Sequence, residues 1–173
     1  LASSLAGEAR SSLDADVIVE LTLPTLPAFL TAVDLAFYTF PDMARDAVVA
    51  GRSFNIIHQE TLFKIDIFVA GHDPLTPLQL QRRRSVVLTA APALSLFFIS
   101  PEDVVIAKLV WFKKTNETSD RQWRDVLGVL KVRRGALDLD YLRSAAETCD
   151  VRDLLDRALA EAGDDTGSAN SAC

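Results

Sequence analysis

Two stretches decide how this chain is read: residues 13–21, LDADVIVEL, and residues 62–70, LFKIDIFVA. In the first, β-branched residues follow two aspartates, the composition of a strand. Side chains alternate across a strand, so Asp14 and Asp16, two apart, leave the same face. In the second, Phe63, Ile65, Ile67 and Val69 share one face while Lys64 and Asp66 share the other. If these strands are neighbours in one sheet, Asp14, Asp16 and Asp66 can converge. Three anions that close repel one another and raise each other's pKa unless a cation neutralises them. Mg²⁺ (or Mn²⁺) suits that role, being typically held by one or two carboxylates plus substrate phosphates. The spacing alone leaves alternatives open. Asp14 and Asp16 can be a polar strand entrance, and Asp66 can pair with Lys64 or an arginine. Asp138 and Asp140 repeat the Asp-x-Asp spacing where a helix starts, and aspartate there caps exposed N–H groups.

Outward from those strands, residues 24–33 read as a short helix with a proline-rich entry, and residues 42–50 as a second, closed by Gly51. Residues 53–59 and 62–70 read as a hairpin. A helix over 75–82 ends in Arg82, Arg83 and Arg84, and strands over 85–89 and 94–99 flank Pro92. From Ser100 onward the pattern is helical. Ser100 with Asp103 three residues on, and Pro101 between, is a capping signature; Ser119 with Gln122 repeats it. Helices over 138–149 and 150–162 follow, the last closed by Gly163. The fold expected is therefore α/β (α+β): a mixed β-sheet core over residues 1–99, a helical region over 100–163 packed on it, and a disordered polar tail over 164–173.

Composition narrows the classes. Of 173 residues, 49% are hydrophobic, enough for a substantial core. Charges interrupt every apolar run before it reaches the roughly 20 residues a membrane span needs, so no membrane is expected. The two cysteines, Cys149 and Cys173, read as reduced thiols in a cytoplasmic protein. A formal charge of −6 argues against broad, sequence-blind nucleic-acid binding. Leu1 stands where a complete chain would carry Met, and the opening residues read as the middle of something longer.

The segment LASSLAGEARSSLDAD, residues 1–16, resembles the active-site entry of the nucleotidyltransferase superfamily, the polymerase-beta-like fold, in its minimal bacterial branch of abortive-infection and toxin-type members. That branch reads Gly-Gly, a small helical segment, then G-x-x-R-x-T/S-x-D-h-D on a strand. Here Gly7, Arg10, Ser12, Asp14 and Asp16 fall in that register, and Asp66 in KIDIF matches the third carboxylate. Residues 100–130 are similar to the branch's helical pair, where a lysine and a later aspartate lie near the nucleotide. The resemblance implies metal-dependent transfer of an NMP group from a nucleoside triphosphate to an acceptor left open among RNA (tRNA included), protein and small molecule. Asp14, Asp16 and Asp66 would be the catalytic metal ligands, and Arg10, Ser12, Lys108 and Asp125 the nucleotide-binding residues. The branch's Gly-Gly or Gly-Ser turn would lie immediately before Leu1, and residues 1–173 alone are expected to transfer nucleotide poorly. A rival reading is a catalytically inactive nucleotidyltransferase-like module that binds a protein partner, for example as a toxin–antitoxin component.

Several residues carry plainer alternatives. Lys108, the one charge between Val104 and Phe112, can be a lysine extending from a buried helix. Arg121 and Asp125 can be an i,i+4 ion pair. Trp123, Val126, Leu127 and Leu130 form a core stripe, with Gly128 expected to allow close packing. The arginine triplet at 82–84 reads mainly as a solvated helix end. His58 and His72 lack metal-ligand spacing.

Overall fold

The computed structural model describes residues 14–71 and 73–164. Arg10 and Ser12, with Gly7, His72 and the tail beyond 164, lie outside them. The protein is mixed α/β, and the chain divides between Thr76 and Pro77 into two units.

The first unit is a four-stranded sheet with two helices on one face. Its strands are β1 (Asp14–Val19), β2 (Phe37–Tyr38), β3 (Ser53–His58) and β4 (Lys64–Val69). They lie in the order β1-β4-β3-β2. β1 runs parallel to β4, while β3 is antiparallel to both β4 and β2. Helices α1 (Leu26–Val33) and α2 (Pro41–Ala50) supply Leu26, Ala44 and Ala47 to a core with Phe54, Ile56, Ile67 and Val69. Alternation along β3 and β4 puts those four strand residues on one face, leaving Ser53, Asn55, Ile57, Lys64, Asp66 and Phe68 on the other. Gly51 ends α2 at φ 58°, the left-handed cap its sequence position predicts. Gly71 passes so close that a Cβ on it would lie 3.1 Å from Gly51 Cα. β2, only two residues long, carries too short a pattern to be read from sequence.

The second unit begins within α3 (Leu75–Arg82) and continues through a separate two-stranded hairpin, β5 (Arg84–Ala90) and β6 (Ala93–Phe98). Four helices follow: α4 (Pro101–Lys114), α5 (Asp120–Val132), α6 (Leu139–Thr148) and α7 (Arg152–Asp164). α4 is central, touching the other three, and Val105, Ile106 and Leu109 are fully enclosed. Trp123, Val126, Leu127 and Leu130 are all buried, as the stripe on α5 predicts. Gly163 does not close the last helix. α7 runs through it to Asp164, so the tail begins no earlier than residue 165.

The caps are as their spacing predicts. Ser100 Oγ accepts from the Asp103 N–H at 3.1 Å, Ser119 Oγ from that of Gln122 at 3.4 Å, and Asp138 Oδ1 from that of Tyr141 at 3.0 Å. The first cap reaches further than a surface cap. Asp103 is wholly buried, and its carboxylate accepts from Ser100 Oγ at 2.8 Å and from the Tyr141 hydroxyl. Burial, and then the Asp103 carboxylate, push the Tyr141 pKa well up. Arg82 stacks 3.8 Å above the Tyr141 ring and faces Glu102 and Asp138, each at 3.9 Å. The arginine triplet is therefore divided: Arg82 braces this buried cluster, and Arg84 opens β5.

Two predictions come from this unit. Gly128 has open space where a Cβ would stand, so it is not a close-packing glycine. Gly128→Ala should stabilise the protein by about 0.5–1 kcal/mol through helix propensity, measured by denaturant unfolding; a loss of stability would show that the space is filled. Glu102 supplies the second. Burial raises its pKa, but the Asp138 and Glu102 backbone N–H groups, the Ser100 hydroxyl and the Arg82 charge outweigh it and hold the carboxyl below its ordinary 4.5. A depressed carboxyl stabilises the fold above its unfolded pKa and loses that contribution as pH falls through its folded value. The stability difference between parent and Glu102→Gln should therefore shrink below about pH 4.5, and a difference independent of pH would contradict it.

Candidate functional site

The register of the first unit sets the geometry of the acidic face. β1 and β4 pair so that Asp16 stands opposite Asp66 and Asp14 opposite Lys64. Partners on adjacent strands sit about 4.8 Å apart, and residues two apart on one strand about 6.6 Å. The three aspartates therefore share one face, opposite the one that α1 and α2 cover. At about 5 Å and an effective dielectric of about 20, two carboxylates repel by about 3 kcal/mol before solvent screening. Asp14 and Asp16 are exposed and Asp66 half-buried, so water relieves part of that cost.

A lysine relieves more. Lys64 Nζ lies 2.7 Å from Asp66 Oδ2. The hydrogen bond to Asp66, against a desolvation cost, and then the charges of Asp66, Asp14 and Asp16 hold the ammonium above its ordinary 10.5. Lys64 thus feels all three carboxylates while bonding one. On the other flank of Asp66, Asn55 is its partner in β3. Asn55 escaped the sequence reading, although a polar residue alternating inside SFNIIH was a signal for this face. An amide there can hydrogen-bond a carboxylate or a polar ligand without altering the charge.

By donor chemistry, Asp14, Asp16 and Asp66 suit a hard divalent cation, which takes oxygen ligands. As the side chains stand, no three His, Cys, Asp or Glu residues among those described are grouped to hold a metal ion. Asp66 is turned onto Lys64, so the backbone register fits a metal but the rotamers fit a lysine.

Lys108 and Asp125 belong to the second unit, on α4 and α5. They meet each other: Lys108 Nζ donates to Asp125 Oδ2 at 2.8 Å and lies 3.5 Å from Gln122 Oε1. The ion pair at Asp125 that sequence spacing suggested with Arg121 is made instead by a residue on the neighbouring helix. Both side chains are mostly buried, at 16% and 14% exposure. His58 is engaged locally, its Nδ1 2.9 Å from Thr61 Oγ1 and its ring edge-on to Phe37. No described helix is long and apolar enough to cross a membrane. No protein-family model matches this sequence, and no curated protein matches it.

The Lys108–Asp125 pair makes a prediction. Removing Asp125 leaves the mostly buried Lys108 ammonium without its carboxylate, whereas replacing both with apolar groups is often neutral. Asp125→Leu should cost about 2–4 kcal/mol, and the double variant Lys108→Met with Asp125→Leu less than the sum of the two single variants. Additive losses in a double-mutant cycle would show that the two side chains do not depend on each other.

Proposed function

We propose that this chain is the core of a metal-dependent nucleotidyltransferase, moving an NMP group from a nucleoside triphosphate to an acceptor hydroxyl. One observation carries the reading: Asp16 and Asp66 are in-register partners on adjacent parallel strands, with Asp14 on the same face. In this reading Asp14, Asp16 and Asp66 would hold Mg²⁺ or Mn²⁺, and Asp66 would take the acceptor's proton. The acceptor oxygen bonds the α-phosphorus while the α–β bridging P–O bond breaks, and pyrophosphate leaves with the electron pair. Bound metal would supply charge neutralisation for the attacking and leaving oxygens. Lys108, Asp125, Arg10 and Ser12 are assigned to the nucleotide by resemblance alone, and Lys108 and Asp125 are paired with each other in the second unit. The acceptor is RNA, protein or a small molecule.

The Lys64–Asp66 ion pair favours a second reading, in which the chain supplies its own cation and works as a non-catalytic module for a protein partner. Fold alone does not separate the two. The deciding experiment is transfer of α-labelled nucleotide, each NTP in turn, into cell lysate with and without Mg²⁺. The catalytic reading expects metal-dependent labelling that falls at least a hundredfold in Asp16→Asn and in Asp66→Asn. Labelling unchanged in both variants would remove the enzyme reading.

A further inference from the structure

A cavity of about 220 Å³ opens in the second unit, between the ends of α5 and α7 and the turn that leads into α6. Its walls are apolar: Leu130 from α5, Leu137 and Leu139 from the turn and the start of α6, and Leu159 from α7. Leu130 is buried, but Leu137 and Leu159 are half-buried and Leu139 is 42% exposed. Apolar surface is thus left against water, where it is unfavourable. Of the described lining residues only Arg134 is charged. Gly163 also lines the cavity, and it stands inside α7, where glycine is a poor helix former. A Cβ there would lie 3.8 Å from Arg134 Nη2, an ordinary van der Waals contact, so the helix has room for alanine. A longer side chain would contend with the guanidinium for the same space. The glycine therefore keeps the cavity open on the side where its charge lies.

We propose that this cavity binds a medium-chain carboxylate, its hydrocarbon tail against the leucines and its head on Arg134. Size sets the length of the tail. An apolar cavity of about 150 Å³ takes benzene, so this one takes a chain of roughly six to eight carbons. Charge sets the head: the planar fork of a guanidinium matches a carboxylate with two parallel hydrogen bonds. A single guanidinium balances a single negative charge, which favours a carboxylate over a phosphate dianion. A neutral alcohol of the same length gains the burial of its tail but not the charge-assisted bonds, and an ammonium head is repelled. The chain's own end does not match these walls, because residues 165–173, DTGSANSAC, carry no large apolar side chain. The site lies wholly in the second unit and is independent of the carboxylate face and of nucleotide transfer.

The test is titration of hexanoate, hexan-1-ol and hexylammonium, each in turn, into the full chain, followed by calorimetry and by the NMR shifts of the leucine methyl groups. Hexanoate should move the methyl signals of Leu137, Leu139 and Leu159 and bind about tenfold more tightly than either of the other two. Arg134→Gln should abolish that preference, and Arg134→Lys, which keeps the charge, should retain it. Gly163→Leu and Leu159→Trp fill the cavity from two positions on α7, so one serves if the other misfolds, and each should abolish the shifts. Equal binding of hexanoate by the parent and Arg134→Gln, equal binding of hexanoate and hexan-1-ol by the parent, or shifts confined to methyl groups away from the cavity would overturn the proposal. So would a parent that binds no hexanoate.

Discussion

Everything in the first unit follows from one pairing: β1 beside β4, parallel, with Asp16 opposite Asp66. The two-residue period of a strand leaves no freedom after that. A slip of one residue would carry Ile67 and Val69 out of the apolar core and turn Asp66 towards α1 and α2, where an unpaired charge is costly. The hydrophobic face therefore fixes the acidic one. The carboxylates share a face because the apolar residues between them must share the other.

Charge is handled the same way in both units. Where a carboxylate is withdrawn from water, a cation of the same chain meets it: Lys64 at Asp66, Lys108 at Asp125, Arg82 near Glu102. Asp103, the most enclosed, is met by hydroxyls. These contacts differ in what they can yield. The Lys108–Asp125 pair is mostly buried between two helices, and breaking it exposes a charge to packed side chains. The Lys64–Asp66 pair lies at the surface of a sheet, where water can replace either partner at small cost.

What the sequence disclosed, and what it withheld, divides along the same physical line. Local patterns were legible: alternating β-branched residues marked β1 and β4, serines three residues before a backbone partner marked the caps of α4 and α5, and Gly51 marked the end of α2. The face shared by Lys64 and Asp66 follows from periodicity, and their pairing is one of the alternatives that the spacing leaves open. Contacts between distant segments were not legible. Nothing local in α5 says that Asp125 faces Lys108 on another helix, or that Gly128 faces open space. The Ser100 cap could be read from spacing, but the burial of Asp103 beneath Tyr141 depends on where α6 docks. Gly163 reads as a stop and yet lies inside α7, because glycine weakens a helix without ending it.

The strand order has a bearing on association. Among the described residues β1 and β2 are the two rims of the sheet, and a rim offers unpaired N–H and C=O groups to any passing strand. Natural sheets blunt such rims with brevity or with charge. β2 uses brevity, being two residues long. β1 is six residues long and otherwise apolar, and its charges are Asp14 and Asp16. By that principle the charge of the same two carboxylates disfavours addition of a strand from a second molecule. Neutralising them, by acid or by substitution, removes a solubility device along with any chemistry they perform, so a sample so altered is more prone to self-association.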